Sequence, residues 1–82
     1  MRIIVIDSDA SFTSAFQQLC KRAGVFCQVF STAASGFAEL KKDPDTVDIA
    51  LICREQANGQ DGLALAQAIR KDPATMDVPY II

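Results

Sequence analysis

Short apolar runs alternate along the chain with longer stretches in which apolar residues recur at helical spacing. Four runs are rich in β-branched or aromatic residues and predict strands, most of them buried: residues 2–6, 25–30, 49–53 and 78–82. Three stretches repeat apolar residues every three or four positions and predict helices: residues 9–23, 35–42 and 63–71. Strand and helix alternate strictly, which predicts an α/β domain with a parallel sheet.

Polar residues and glycine mark the ends of the predicted helices. Ser8 or Asp9 can cap the first helix, and Gly24 stands where a helix often ends in the left-handed conformation. The segment 43–45, Asp-Pro-Asp, breaks the second helix. Asp61 precedes the third helix, where its carboxylate can accept backbone N–H bonds that the helix leaves unmade.

Aromatic and sulfur-containing residues have a structural interpretation. The phenylalanines fall mostly on the apolar faces, which predicts core packing for Phe12, Phe16, Phe26, Phe30 and Phe37. The three cysteines, Cys20, Cys27 and Cys53, have no CxxC spacing, and the chain has no histidine. A zinc site is therefore not expected, and we interpret the cysteines as small buried apolar side chains.

Length and charge narrow the class of protein. The 82 residues are enough for one small domain, residues 1–82, and half of them are apolar. The net charge is −2, and the basic residues form no long run, so we expect no nucleic acid as a partner. Asp7 and Asp9 interrupt the first apolar run far short of a membrane span or a signal peptide. A cytoplasmic protein without membrane contact is the resulting expectation.

Three stretches, in their order and spacing, resemble the receiver domain of two-component signalling, the CheY-like family. Residues 4–9, Ile-Val-Ile-Asp-Ser-Asp, resemble its first strand and acidic turn. Residues 48–63 resemble its third strand, catalytic loop and Asp-Gly helix start, and residues 69–82 its third helix and fourth strand. The resemblance implies a flavodoxin-like sheet of order 2-1-3-4 with helices on both faces. It also implies a partial domain, truncated after strand 4.

Receiver domains use one aspartate as phosphoryl acceptor and two further acids that hold Mg²⁺. Carried over by the resemblance, the first acid of that pair is Asp7 and the second falls on Ser8, which has no carboxylate. Asp9 comes next and is expected to point into the first turn of the helix. The resemblance therefore implies a degenerate acidic pocket with no metal and no cofactor.

The acceptor position departs further from the family. Counting back from Asp61 places it on Arg54, whereas counting forward from Asp48 places it on Cys53. Neither residue is a carboxylate, so the resemblance implies a pseudo-receiver with no catalytic residue rather than an enzyme. The family's switch threonine and catalytic lysine would lie beyond Ile82.

The expected function is a regulatory and protein-interaction module of two-component signalling that takes no phosphoryl group. A histidine kinase or an output domain is a possible partner. The resemblance also leaves one sheet face without the family's last helix. We therefore expect these 82 residues, as an isolated species, to self-associate through that uncovered face and the edge of strand 4. In a longer chain, a later segment is expected to occupy the same surface.

Several alternatives stay open. Arg54 either pairs with Asp7 in place of a metal or points into solvent. Glu55 either imitates a phosphoryl group or is a solvated loop residue. A working receiver could use Glu55 or Asp61 as an atypical acceptor. A small nucleotide- or flavin-binding half-domain is a further alternative, disfavoured because no glycine-rich turn follows the first strand.

Overall fold

The computed structural model describes residues 1–54 and 61–82, in which strands and helices alternate as the pattern predicts. Their bounds are β1 (Arg2–Ile6), α1 (Ala10–Arg22), β2 (Phe26–Phe30), α2 (Ala33–Lys42), β3 (Ile49–Ile52), α3 (Gly62–Lys71) and β4 (Tyr80–Ile81). The four strands are parallel and lie in the order β2-β1-β3-β4. The flavodoxin-like fold and the strand order predicted from the sequence are confirmed.

The register of the sheet brings the carboxyl ends of three strands together. Ile6, the last residue of β1, lies between Phe30 of β2 and Ile52 of β3. The segments that follow β1 and β3 therefore leave the sheet at the same edge. In doubly wound sheets this edge is where ligands bind.

One face of the sheet is closed by α2 and α3. Ile4 and Ile6 of β1 are fully buried there against Leu40 of α2 and Ile69 of α3. Ala50 and Ile52 extend this core along β3, since alternate residues of a strand point to the same face. This face holds the continuous hydrophobic core of the domain.

The opposite face carries α1 and is only partly covered. Val5 of β1 is buried on this side, but its neighbour Leu51 on β3 is only half-buried. Phe12 of α1 is 47% exposed and Ile81 of β4 is 56% exposed. Helix α1 thus lies on one face and α2 and α3 on the other, which confirms the prediction of helices on both faces.

Two predicted boundaries were wrong. Helix α2 begins two residues before position 35, because the Thr32 hydroxyl accepts the Ser35 N–H at 3.2 Å and caps it. Strand β4 is shorter than residues 78–82. The Arg70 guanidinium donates to the Val78 carbonyl at 2.8 Å, and pairing with β3 begins only near Pro79. No helix in the described part of the chain is long and apolar enough to cross a membrane.

The prediction that all five phenylalanines pack in the core was wrong for two of them. Phe12 stacks on Phe16 with ring centroids 5.8 Å apart, yet remains about half exposed. Phe26, at the start of β2, is 59% exposed. The buried side chains of α1 are Thr13 and Cys20, and the helix packs against β2.

Candidate functional site

The turn between β1 and α1 carries the acidic residues of the candidate site. Backbone N–H groups bind both carboxylates: Asp7 Oδ1 accepts the Asp9 N–H at 2.9 Å, and Asp9 Oδ1 accepts the Phe12 N–H at 3.1 Å. Asp9 is therefore the N-cap of α1, as predicted. Two carboxylates at this helix start disfavour a bound phosphate, which counts against the nucleotide or flavin alternative.

The end of β3 lies directly beside this turn. The Cys53 N–H donates to the Ile6 carbonyl at 2.9 Å, which continues the β1–β3 register by one residue and places Cys53 next to Asp7. Both residues line a small cavity of about 170 Å³. Arg54 follows and is exposed. β3 is therefore followed by a thiol and a cation, the two residues between which counting along the sequence did not decide.

The cavity beside Asp7 is mostly apolar. Asp7 is its only charged lining residue among those described; the others are Val5, Phe12, Leu51, Ile52, Cys53, Ile81 and Ile82. The cavity thus opens between α1 and β4, on the uncovered face of the sheet. An apolar side chain fits it better than a solvated ion does.

Gly62 has a role that sequence reasoning missed. Its N–H donates to the Arg54 carbonyl at 2.8 Å, so the start of α3 lies against the end of β3. A Cβ at this position would overlap the Cys53 carbonyl oxygen and approach the Arg54 Cα to 2.8 Å. The Asp-Gly pair at the start of α3 is the sequence feature that could have predicted this close approach. Asp61 caps α3 by accepting the Leu63 N–H at 3.0 Å, as predicted, while Gly62 permits the close approach.

The hypothetical ion pair between Arg54 and Asp7 does not form. Within residues 1–54 and 61–82, the ion pairs join Glu39 to Arg2 at 3.1 Å and to Lys42 at 3.4 Å. This cluster is tied to the amino-terminal end of β1, far along the strand from Asp7. Glu55, the possible phosphate mimic, lies outside the described residues.

The side chains near Asp7 do not offer the oxygen ligands that a divalent cation needs. Mg²⁺ prefers six oxygen ligands, usually including one or two carboxylates. One oxygen of Asp7 already accepts a backbone N–H, Asp9 caps α1, and position 8 is a serine. No group of three or more metal-binding side chains occurs in the part of the chain that the structure describes. Within residues 1–54 and 61–82, Asp7 therefore has no second carboxylate beside it that is free to bind Mg²⁺.

Solved structures share this fold over almost the whole chain. The N-terminal domain of a response regulator receiver protein from Methanoculleus marisnigri JR1 superimposes with a TM-score of 0.84 over 96% of this chain, at 24% identity. A sensor protein from Polaromonas sp. JS666 gives a TM-score of 0.83 over 96% of this chain, at 20% identity. This chain spans 62% and 61% of those two chains. No protein-family model and no curated protein matches the sequence.

Proposed function

We propose that this chain is a receiver-like regulatory module of two-component signalling that accepts no phosphoryl group and acts by contact with other proteins. The observation that carries the proposal is the end of β3, where Cys53 lies beside Asp7 and Arg54 is exposed. A carboxylate is the nucleophile in aspartyl phosphorylation, and neither residue supplies one. A histidine kinase or an output domain would then bind the surface of the module without phosphoryl transfer.

Asp61 is a weaker alternative acceptor on this geometry, because it caps the first turn of α3 and does not follow β3 directly. Glu55 remains an alternative from the sequence alone.

Acetyl phosphate with Mg²⁺, followed by intact-protein mass spectrometry, tests the proposal. We expect no stoichiometric gain of a phosphoryl group in the wild type. Glu55→Gln and Asp61→Asn are the matched variants, because asparagine also caps helices well. A phosphoryl adduct in the wild type that one of these variants abolishes would overturn the proposal and identify the acceptor.

We further propose that the module self-associates through the open face and the edge of β4. Ile81 and Ile82 are 56% and 45% exposed, and Phe12 continues the apolar surface onto α1. Beyond β4 no further strand pairs with the sheet in the described residues. An unpaired edge beside an apolar patch is a typical place for another chain to bind.

A second copy is the occupant that this surface favours. Its apolar lining contains one carboxylate, Asp7, at the rim. Two such faces can therefore meet without placing several like charges against each other. Two β4 edges can also pair antiparallel about a two-fold axis, which gives a symmetric dimer.

Sedimentation equilibrium over a wide concentration range tests this second proposal. We expect the wild type to dimerise and Ile81→Lys to remain monomeric with an unchanged circular dichroism spectrum. Met76→Lys is the control, since Met76 is similarly exposed, at 49%, but lies in the turn before β4. A wild type that stays a monomer at all concentrations, or equal loss of association in both variants, would contradict the proposed surface.

A further inference from the structure

Two of the three cysteines meet where α1 packs on β2. Cys20, near the end of α1, is 6% exposed, and Cys27, the second residue of β2, is half-buried. Cys27 faces the α1 side of the sheet, because it shares its strand face with Val29, the partner of the α1-facing Val5. The Cys20 thiol is close enough to affect the pKa of the Cys27 thiol. The backbone supports this arrangement, because the Val25 N–H donates to the Cys20 carbonyl at 2.8 Å and turns the chain straight back under the helix.

The contact differs from ordinary burial of single thiols. A disulfide requires two cysteines with close Cα atoms and facing Cβ vectors, and two thiols that face each other across one helix–strand contact are placed for that requirement. Cys53 serves as a comparison within the chain, since it follows β3 at the carboxyl end of the sheet, beside Asp7. The three cysteines therefore divide into one facing pair and one separate residue.

We propose that Cys20 and Cys27 are a modification site that forms an intramolecular disulfide when the protein meets a disulfide oxidant such as oxidised glutathione. The bond would tie the end of α1 to β2. It would form at the packed end of the α1 face, away from Asp7 and from the open surface beside β4.

The reaction proceeds by two exchanges. Cys27, the more accessible thiol, loses its proton to solvent, and its thiolate attacks one sulfur of oxidised glutathione, releasing a glutathione thiolate. Cys20 then loses its proton and attacks the Cys27 sulfur of the mixed disulfide, which expels the second glutathione. The two protein thiols lose two electrons in total, and one glutathione disulfide is reduced to two thiols.

The local environment sets the rate of this reaction. Burial, together with the neighbouring Cys20, raises the pKa of the Cys27 thiol to about 11. The thiolate is therefore scarce at neutral pH, and the first exchange is slow there. Its rate should rise about tenfold per pH unit well past the ordinary thiol pKa of about 8.5, where an exposed cysteine would level off.

The full chain, incubated in glutathione buffers of graded redox ratio, acid-quenched and alkylated, gives the test. Trypsin cleaves after Lys21 and Arg22, between the two cysteines, so the bond would appear as two linked peptides. We expect that linkage with Cys53 outside it, and a rise in Tm on the order of 10 °C for the oxidised form, because the cross-link restricts the unfolded chain.

Single substitutions separate the outcomes. Cys53→Ser should retain the linked peptides, whereas Cys20→Ser should stop at the mixed disulfide on Cys27. A wild type that also stops at the mixed disulfide would overturn the inference, and so would linked peptides that require Cys53. Absence of the Cys20–Cys27 disulfide at every glutathione ratio at pH 9 would also overturn the inference.

Discussion

The two faces of the sheet differ in how completely helices cover them. On the α2 and α3 face, Ile4, Ile6 and Ile69 are fully buried in one continuous core. On the α1 face, Val5 is buried, yet Phe12 and Ile81 are each about half exposed. The closed face stabilises the fold, while the open face leaves apolar surface exposed near the candidate site.

The α1 face is itself divided into two parts. Over β2 the helix packs closely, and Cys20 and Cys27 meet there. Toward β3 and β4 it leaves the cavity that Asp7 and Cys53 line. The α1 face thus has one closely packed part and one exposed apolar part, and substitutions can test that division.

The largest expected effect comes from removing a core side chain. Ile69→Ala on the closed face should lower the free energy of unfolding by about 2–5 kcal/mol, because it leaves a cavity among packed neighbours. Ile81→Ala on the open face should cost less than about 1 kcal/mol in the monomer, since Ile81 is already 56% exposed. Urea unfolding of dilute protein measures both. Equal losses would break the distinction between the faces.

A somewhat smaller effect is expected at the contact between β3 and α3. Gly62→Ala should lower the free energy of unfolding by about 1–3 kcal/mol, because the new Cβ meets the backbone of Cys53 and Arg54, which cannot move aside cheaply. Gly24→Ala is the control: its φ of 72° is unfavourable for alanine, but no atom lies within 4 Å of the new Cβ. A Gly62→Ala protein as stable as the wild type would show that this close approach is absent in solution.

The sequence predicted the fold well because the apolar pattern and the helix caps agreed. The bounds of β1 matched, and Asp9 and Asp61 cap α1 and α3 as expected. The start of α2 was missed because Ser-Thr before a helix is a weaker signal than aspartate. Phe12 and Phe26 were misplaced because helical spacing identifies an apolar face without showing whether anything covers it.

The candidate site was predictable in its residues but not in its geometry. Counting from the two flanking motifs gave Cys53 and Arg54 as rival positions. Only the sheet register placed Cys53 beside Asp7. The contact between Cys20 and Cys27 was missed for the same reason, since it depends on how α1 lies over β2. Local patterns carry no information about such long-range contacts.

The smallest expected effect is a pH dependence at the packed end of the α1 face. Folding raises the pKa of the Cys27 thiol to about 11, so the protonated thiol favours the folded state. This contribution is complete below the unfolded pKa of about 8.5 and is lost as the pH rises through the folded value. Relative to Cys27→Ala, the wild type should lose stability between pH 9 and 11. Cys53→Ala should lose stability over the same pH range. Parallel pH profiles of stability for the wild type and Cys27→Ala would contradict the prediction.

The binding of beryllofluoride with Mg²⁺, measured as a shift in Tm, tests whether the chain accepts no phosphoryl group. We expect no shift for the wild type, because the end of β3 has no carboxylate and Asp7 lacks a second acid at position 8. Ser8→Asp combined with Cys53→Asp or with Arg54→Asp should restore binding in one of the two double variants, which would also identify the acceptor position. A wild type that binds beryllofluoride as tightly as the better double variant would contradict the proposal that the chain accepts no phosphoryl group.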